Sequence, residues 1–335
     1  MEWLLTNGGR AQKIPDYDCG PEDRIPGRKD YVLGTIFIAY GIIAEIIYVL
    51  DLMVMVRKQH RRLSCYKIMI VLGLYDMAAL SLNSLLTGYF WFTGGNYCTS
   101  PTFMFVAGAL ALGLWCGACM ICFVLVINRL LDLWNKALLQ MADNRTYAVL
   151  LLPILYSLYF VFFTPPLLFN SNESAWFFFT FARNKTDIAG HFLNYPHTAN
   201  NLFIVVLTCL LYVQYSRVLL RYSKIGSGLT WTQKSFFLQC SSICMANLIA
   251  ALIYVYMQFL YTPPSFVLVG HICWQLGHGF PAIVYLVLNR TIQFEVFTLL
   301  RIHRPNKVKT FATMQSTNKA SDSVADNVTH CLMCC

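Results

Sequence analysis

Three acids, Glu45, Asp51 and Asp76, stand inside stretches otherwise dominated by aliphatic and aromatic residues. A carboxyl group in such surroundings is costly, so it is paired, protonated or put to use. Asp51 lies close to Arg57 and Lys58, either of which can serve as its partner. Asp76 has no cation near it in sequence and is read as part of a switch. His271 and His278 also lie in apolar surroundings and are read as hydrogen-bonded structural groups, with contact to a ligand as the alternative. Cys116, Cys119 and Cys122 repeat every third residue, a spacing that could suggest a metal. With no His or carboxylate nearby, they are better read as small, reduced packing residues, and no metal or other cofactor is expected. Arg129 closes an apolar run in Val126-Ile127-Asn128-Arg129-Leu130. Taken alone, it is an anchor at a membrane interface. No cluster of His and carboxylates stands at one depth, so an enzyme is not expected.

The elements that must position these residues are seven apolar runs: Tyr31 to Val56, Ile68 to Phe90, Thr102 to Ile127, Tyr147 to Phe169, Asn201 to Leu220, Phe236 to Tyr261 and Phe266 to Leu288. Each is long enough to cross a hydrocarbon core of about 30 Å as a helix. The chain of 335 residues is 57% hydrophobic and only 12% charged, against about 25% charged in soluble domains. That composition excludes a soluble enzyme, a disordered chain and a small disulfide-stapled domain. The fold class is an all-α membrane protein, a bundle of seven transmembrane helices. The fifth run is the weakest, because His197, Thr198, Asn200 and Asn201 blur its start; without it there would be six helices and both termini on one side. After the seventh run, Ile292, Val296, Leu299 and Leu300 share a helical face opposite Thr291, Glu295 and Thr298. The pattern predicts an amphipathic helix over 291–304 on the inner leaflet. Arg301, Arg304, Lys307 and Lys309 beside it suit anionic membrane lipid. The domain organisation expected is an extracellular tail over 1–30, the bundle over 31–290, the surface helix over 291–304 and a disordered cytoplasmic tail over 305–335.

With the amino terminus outside, seven of the 25 Lys and Arg fall on outer segments and the other 18 on inner ones. Positive charge marks the cytoplasmic side, which places the amino terminus outside and the carboxyl terminus inside; the expected location is the plasma membrane. The net charge of +9 is then an orientation signal. Its scatter over separate loops gives no nucleic-acid surface. The first 30 residues lack the apolar core of a cleavable signal peptide, so the first helix is expected to start insertion. Asn172 and Asn184 begin glycosylation triplets in the second outer loop, while Asn144, Asn289 and Asn327 begin others on inner segments. Of the cysteines, Cys19 and Cys98 face the oxidising side; a bond between them would pin the tail over the mouth of the bundle. Cys331, Cys334 and Cys335 end the inner tail, where palmitoylation is favoured over a metal site with His330; the last four residues do not form a prenylation box.

Gly113 and Gly117 favour close packing of the third helix. Gly277-His278-Gly279-Phe280-Pro281 should bend the seventh, ahead of Tyr285 and Asn289-Arg290. Trp115 and Trp274 lie at a suitable depth to line a pocket in the outer half, and His271 is a further candidate there.

This ensemble resembles a G-protein-coupled receptor and, more narrowly, the nematode chemoreceptors of serpentine receptor class T. The resemblance rests on Tyr17-Asp18-Cys19, on Cys65-Tyr66-Lys67-Ile68-Met69 with Leu72-Gly73 and Asp76, on Cys98 with Pro101, on Asn128-Arg129, and on Gly277-His278-Gly279-x-Pro281 with Tyr285 and Asn289. It implies a chemosensory receptor with a heterotrimeric G protein as partner and a sensory cilium as its place; the apolar, aromatic lining offered by Trp115 and Trp274 suits a small, apolar or weakly polar ligand. Asn128-Arg129-Leu130 matches the Asp-Arg-Tyr triplet of rhodopsin-like receptors, with Asn128 in place of the acid. Pro281 and Tyr285 resemble the Asn-Pro-x-x-Tyr switch, with Phe280 in place of Asn and one extra residue before Tyr285. Asp76 matches the sodium-pocket acid, but Ala118 and Phe280 supply no oxygen ligand. Ala111 stands where amine receptors carry an Asp, and the second outer loop lacks the cysteine usual in rhodopsin-like receptors. Helices three to seven contain no Lys, which excludes a retinal Schiff base. The competing reading, a ligand-gated cation channel or transporter, would call for internal repeats, and none is visible.

Overall fold

The computed structural model describes residues 1–133, 143–182, 192–224, 231–260 and 262–302. Asp30 opens helix α1 (Tyr31–Met55) by accepting the Leu33 N–H at 3.0 Å. Helix α2 (Ser64–Thr93) is widened by a π-helical segment, Ser81–Leu86, and stops at Gly94, whose φ of 71° is left-handed. Pro101 begins α3 (Pro101–Leu133), a position where its missing N–H costs nothing. Helix α4 (Asp143–Phe163) ends at Phe163, not at Phe169 as the apolar run suggested. Pro165 and Pro166 explain the difference, since a residue before proline is steered out of the helical region. The remaining apolar residues form a hairpin of β1 (Leu168–Asn170) and β2 (Ala175–Phe177), with Phe169 opposite Trp176.

The weak fifth run is a full helix, α5 (Tyr195–Lys224). Asn194 precedes it and accepts the His197 N–H at 2.9 Å. Its polar start is not a loop: His197, Thr198, Asn200 and Asn201 are buried. Helix α6 (Trp231–Phe259) and helix α7 (Pro264–Leu288) complete seven helices apolar and long enough to cross a membrane. Helix α7 runs as one element through Pro281. Asn289 breaks it and caps α8 (Arg290–Leu299), its Oδ1 accepting from the N–H groups of Thr291 and Ile292. Helix α8 is shorter than the span 291–304 expected of it; Ile292 and Val296 are buried, and Arg301 beyond it has a φ of 57°.

Helix α3 runs through the middle, touching α2, α4, α5 and α6, while α7 packs on α1, α2 and α6. Gly113 and Gly117 permit this: a Cβ on either would strike Ser157 in α4, and on Gly117 also Tyr75 in α2. Outward from the bundle stand Ile36, Ile43, Ile46, Leu152, Leu155, Phe203, Val206 and Leu210, all exposed. An apolar belt of this kind is a lipid-facing surface.

The amino-terminal segment is more structured than a plain tail. A short helix, Glu2–Thr6, and two single turns carry Leu4, Ala11, Ile14 and Tyr17 into the core beside the hairpin. Tyr17 meets Tyr97, Phe105 and Phe192 edge to face, with ring centroids 6.0, 5.4 and 5.5 Å away. A disulfide joins Cys19 to Cys98, with 5.7 Å between their Cα atoms.

Candidate ligand pocket and polar switch

Two tiers of buried polar residues stand between α1, α2 and α7. In the tier nearer the hairpin, Gln275 donates to Ser84 Oγ at 2.6 Å, and Ser84 donates to the Phe37 carbonyl at 2.6 Å. The π segment sets the local backbone there, and Thr87 just past it accepts the Trp176 indole N–H at 2.9 Å. The hairpin is thereby tied to α2.

The deeper tier is centred on Asp76. His278 Nδ1 lies 2.7 Å from Asp76 Oδ1, and the Tyr48 hydroxyl lies 2.7 Å from Asp76 Oδ2 and 2.8 Å from the His278 carbonyl. All three side chains are buried. A phenol has one proton for two acceptors, so it is shared between them, or Asp76 holds a proton of its own and donates it to Tyr48. In either state the pair links α2 to α7, and Tyr48 adds α1. The two hydrogen bonds occupy both oxygens of the acid that resembles the sodium-pocket residue. Among the other acids, Glu45 accepts from Ser81 at 3.3 Å. The expected partnership of Asp51 with Arg57 or Lys58 is not formed. Asp51 is buried, and among the described residues neither of its oxygens has a hydrogen-bond partner.

Arg57 turns instead to α8, where Glu295 meets it at 2.6 Å, His60 Nε2 at 2.6 Å and Gln59 at 2.7 Å. Partial burial acts to raise the Glu295 carboxyl pKa, but His60 and Arg57 outweigh it and hold the group below its ordinary value. This clasp fixes α8 against the short connection between α1 and α2.

The pocket lies on the hairpin side of Asp76. A cavity of about 140 Å³ is lined by Leu167, Trp176, Phe177, Phe178, Phe179, Phe192, Leu193, Tyr254, Met257 and Gln258. Leu167 and Tyr254 also border a smaller recess with Trp115, His197 and Trp274. The described lining residues include no Asp, Glu, Lys or Arg. Trp115 donates to Asn201 at 3.0 Å, and its ring meets that of His278 edge to face at 5.7 Å. Trp274 is also edge to face with His278, at 6.5 Å. The wall of the smaller recess therefore touches the Asp76 tier directly.

Of the residues expected to bind ligand, Trp115 and Trp274 line the recess, whereas His271 does not. His271 stacks on Trp274 and lies 3.4 Å from the Ser174 carbonyl, behind the recess wall. Asn128, Pro281 and Tyr285 are buried. Arg129 is in α3, but its side chain lies outside the described residues, as do Asn184, Cys331, Cys334 and Cys335. Asn172 is exposed in the hairpin turn, its Oδ1 accepting the Arg28 N–H at 2.8 Å. Sequence reasoning missed Tyr48, Ser84, Gln275 and Tyr254. The first three are isolated polar groups in apolar runs, and Gln275 and His278 lie three apart on one face of α7, a signal that was available.

A family profile described as "Serpentine type 7TM GPCR chemoreceptor Srt" matches residues 4–309. Serpentine receptor class T-55 of Caenorhabditis elegans is 28% identical over 314 residues, covering 91% of this chain and 84% of that protein. The crystal structure of squid rhodopsin superposes with a TM-score of 0.61 at 13% identity, over 95% of this chain and 96% of the other. At that identity the likeness is one of fold.

Proposed function

The chain belongs to the Srt family of serpentine seven-transmembrane chemoreceptors, and from this we propose that it is a G-protein-coupled receptor for a small, apolar or weakly polar environmental molecule. It is a receptor and not an enzyme. It lies in the plasma membrane with the tail and hairpin outside and α8 at the cytoplasmic face, in sensory cilia. The excess of Lys and Arg on the α8 side supports that orientation. A ligand in the aromatic pocket favours one of two bundle states, and that state opens the inner face to a heterotrimeric G protein. Coupling of this kind is worth about 1–3 kcal/mol.

The observation that carries the reading is the contact of Trp115 and Trp274 with His278, which is bonded to Asp76. A ligand that moves either indole must disturb the pair that joins α2 to α7. Asn128 and Arg129, at the far end of α3, are then the groups presented to the G protein, and Pro281 and Tyr285 belong to the moving part of α7. Glycans on Asn172 and Asn184 and palmitate on Cys331, Cys334 or Cys335 suit the two faces so assigned.

The test is the calcium response of cells expressing the chain to a broad odorant panel, beside Arg129→Ala and with G-protein signalling blocked. A response lost under both treatments is expected. A response that survives both means direct ion conduction, and the receptor reading falls.

A further inference from the structure

The polar groups around the pocket are unequally satisfied. On the acceptor side, Asn201 Oδ1 takes the Trp115 N–H, Asn200 Oδ1 takes the Tyr156 hydroxyl at 2.9 Å, and Gln258 Oε1 takes the Thr198 hydroxyl at 2.7 Å. On the donor side, Trp274 Nε1 and the Tyr254 hydroxyl are buried and, among the described residues, have no hydrogen-bond partner. Both residues border the same recess, and their rings meet edge to face at 5.9 Å. Gln258 Nε2, on the cavity, and His197 Nδ1, on the recess, are in the same condition; buried polar atoms without a partner are rare in native structures, so four around one pocket call for a reason. An indole N–H can only donate, which leaves this wall short of an acceptor.

Resting on the receptor reading above, we propose that the ligand is a neutral hydrogen-bond acceptor, a small ketone, aldehyde or ester, whose carbonyl oxygen takes the Trp274 N–H and the Tyr254 O–H. A carbonyl oxygen has two lone pairs and can receive both. Amines and carboxylates are disfavoured, since no charged side chain stands among the described lining residues to pair with them. Tyr254 borders both the cavity of about 140 Å³ and the recess of about 10 Å³, whereas Trp274 borders only the recess; the cavity sets the size of the apolar body, since an engineered cavity of about 150 Å³ takes benzene, and the recess has room for the carbonyl oxygen alone. The flanking rings of Phe178, Phe179 and Trp176 suit a compact apolar remainder.

The experiment measures ligand-dependent thermal stabilisation of the purified full chain, using cyclohexanone, cyclohexanol, methylcyclohexane, cyclohexylamine and cyclohexanecarboxylate as probes of one shape. Cyclohexanone should bind most tightly, and the amine and the carboxylate should give no shift. Trp274→Phe and Tyr254→Phe each keep the ring and should weaken cyclohexanone about tenfold, the value of one hydrogen bond, while methylcyclohexane is unaffected. The proposal is overturned if the amine or acid binds better than the ketone, if both variants bind the ketone as the parent does, or if the ketone gives no shift at millimolar concentration. G-protein activation is read separately. Ketone binding that depends on both donors without activating a G protein upholds the acceptor class and removes the receptor reading. Activation by the amine or the acid does the reverse.

Discussion

Replacing His278 by Phe should destabilise the bundle more than replacing His278 and Asp76 together. The pair is buried, its hydrogen bond is 2.7 Å long, and Asp76 keeps only Tyr48 once the imidazole is gone. Removing one partner of a buried ionisable pair costs about 3–5 kcal/mol, because the other is left without compensation. Asp76→Leu alone should cost less, about 1–3 kcal/mol, since it leaves one ring nitrogen without its hydrogen bond while Tyr48 can still donate to the His278 carbonyl. The double variant removes both polar groups and should cost less than His278→Phe, giving a coupling energy of about 2–3 kcal/mol. The assay is thermal unfolding in detergent read by a thiol-reactive fluorophore, for which the buried free thiols of Cys65, Cys116, Cys119, Cys122 and Cys244 are natural reporters. At about 2–4 °C per kcal/mol, His278→Phe should lose about 10 °C and the double variant should recover part of it. Additivity of the two single losses to within about 0.5 kcal/mol would refute the reasoning, because independent sites add in that way.

Three further outcomes are expected. Cys19→Ser with Cys98→Ser frees a closed loop with a sequence separation of 79, for which chain entropy gives about 4 kcal/mol; limited proteolysis should cut the tail, and an uncut tail would show that its aromatic packing suffices alone. The Glu295 clasp should hold above the ordinary carboxylate pKa and weaken as pH falls through the depressed folded value; stability followed from pH 7 to pH 3 should lose part of its acid dependence in Glu295→Gln, and identical profiles would contradict the assignment. Gly108→Ala should reduce folded protein at the cell surface severalfold, since its Cβ would collide with the Leu167 carbonyl; surface labelling at the parent level would mean that the chain after α4 can move aside.

Much of the fold was legible because lipid imposes simple rules. A run such as Thr102 to Ile127 can only be a helix when no water is present to satisfy its backbone. Local chemistry misled where a second rule intervened. Hydropathy alone carries α4 on to Phe169, whereas Pro165 and Pro166 steer the chain out of the helix after Phe163. Polar residues blur the start of α5 because His197 and Asn201 face other buried polar groups, an arrangement hydropathy cannot register. Proximity in sequence pairs Asp51 with Arg57 or Lys58, whereas Arg57 is 238 residues from its partner, Glu295. The candidate pocket was legible only at Trp115 and Trp274, since Tyr254 looks like any other aromatic residue in an apolar run.

By itself, then, the sequence determined six of the spans, the class of bundle and the residues too polar to face lipid, because transfer of a side chain or a peptide group out of water depends on local composition. Which polar groups meet depended on tertiary structure. Asp76 and His278 are 202 residues apart, and only the packing of α2 against α7 brings them within 2.7 Å. The same holds for the wall formed by Tyr254 of α6 and Trp274 of α7. Hydrogen bonds are short-ranged and directional, so their partners are decided by the crossing of helices and not by the order of residues along any one of them.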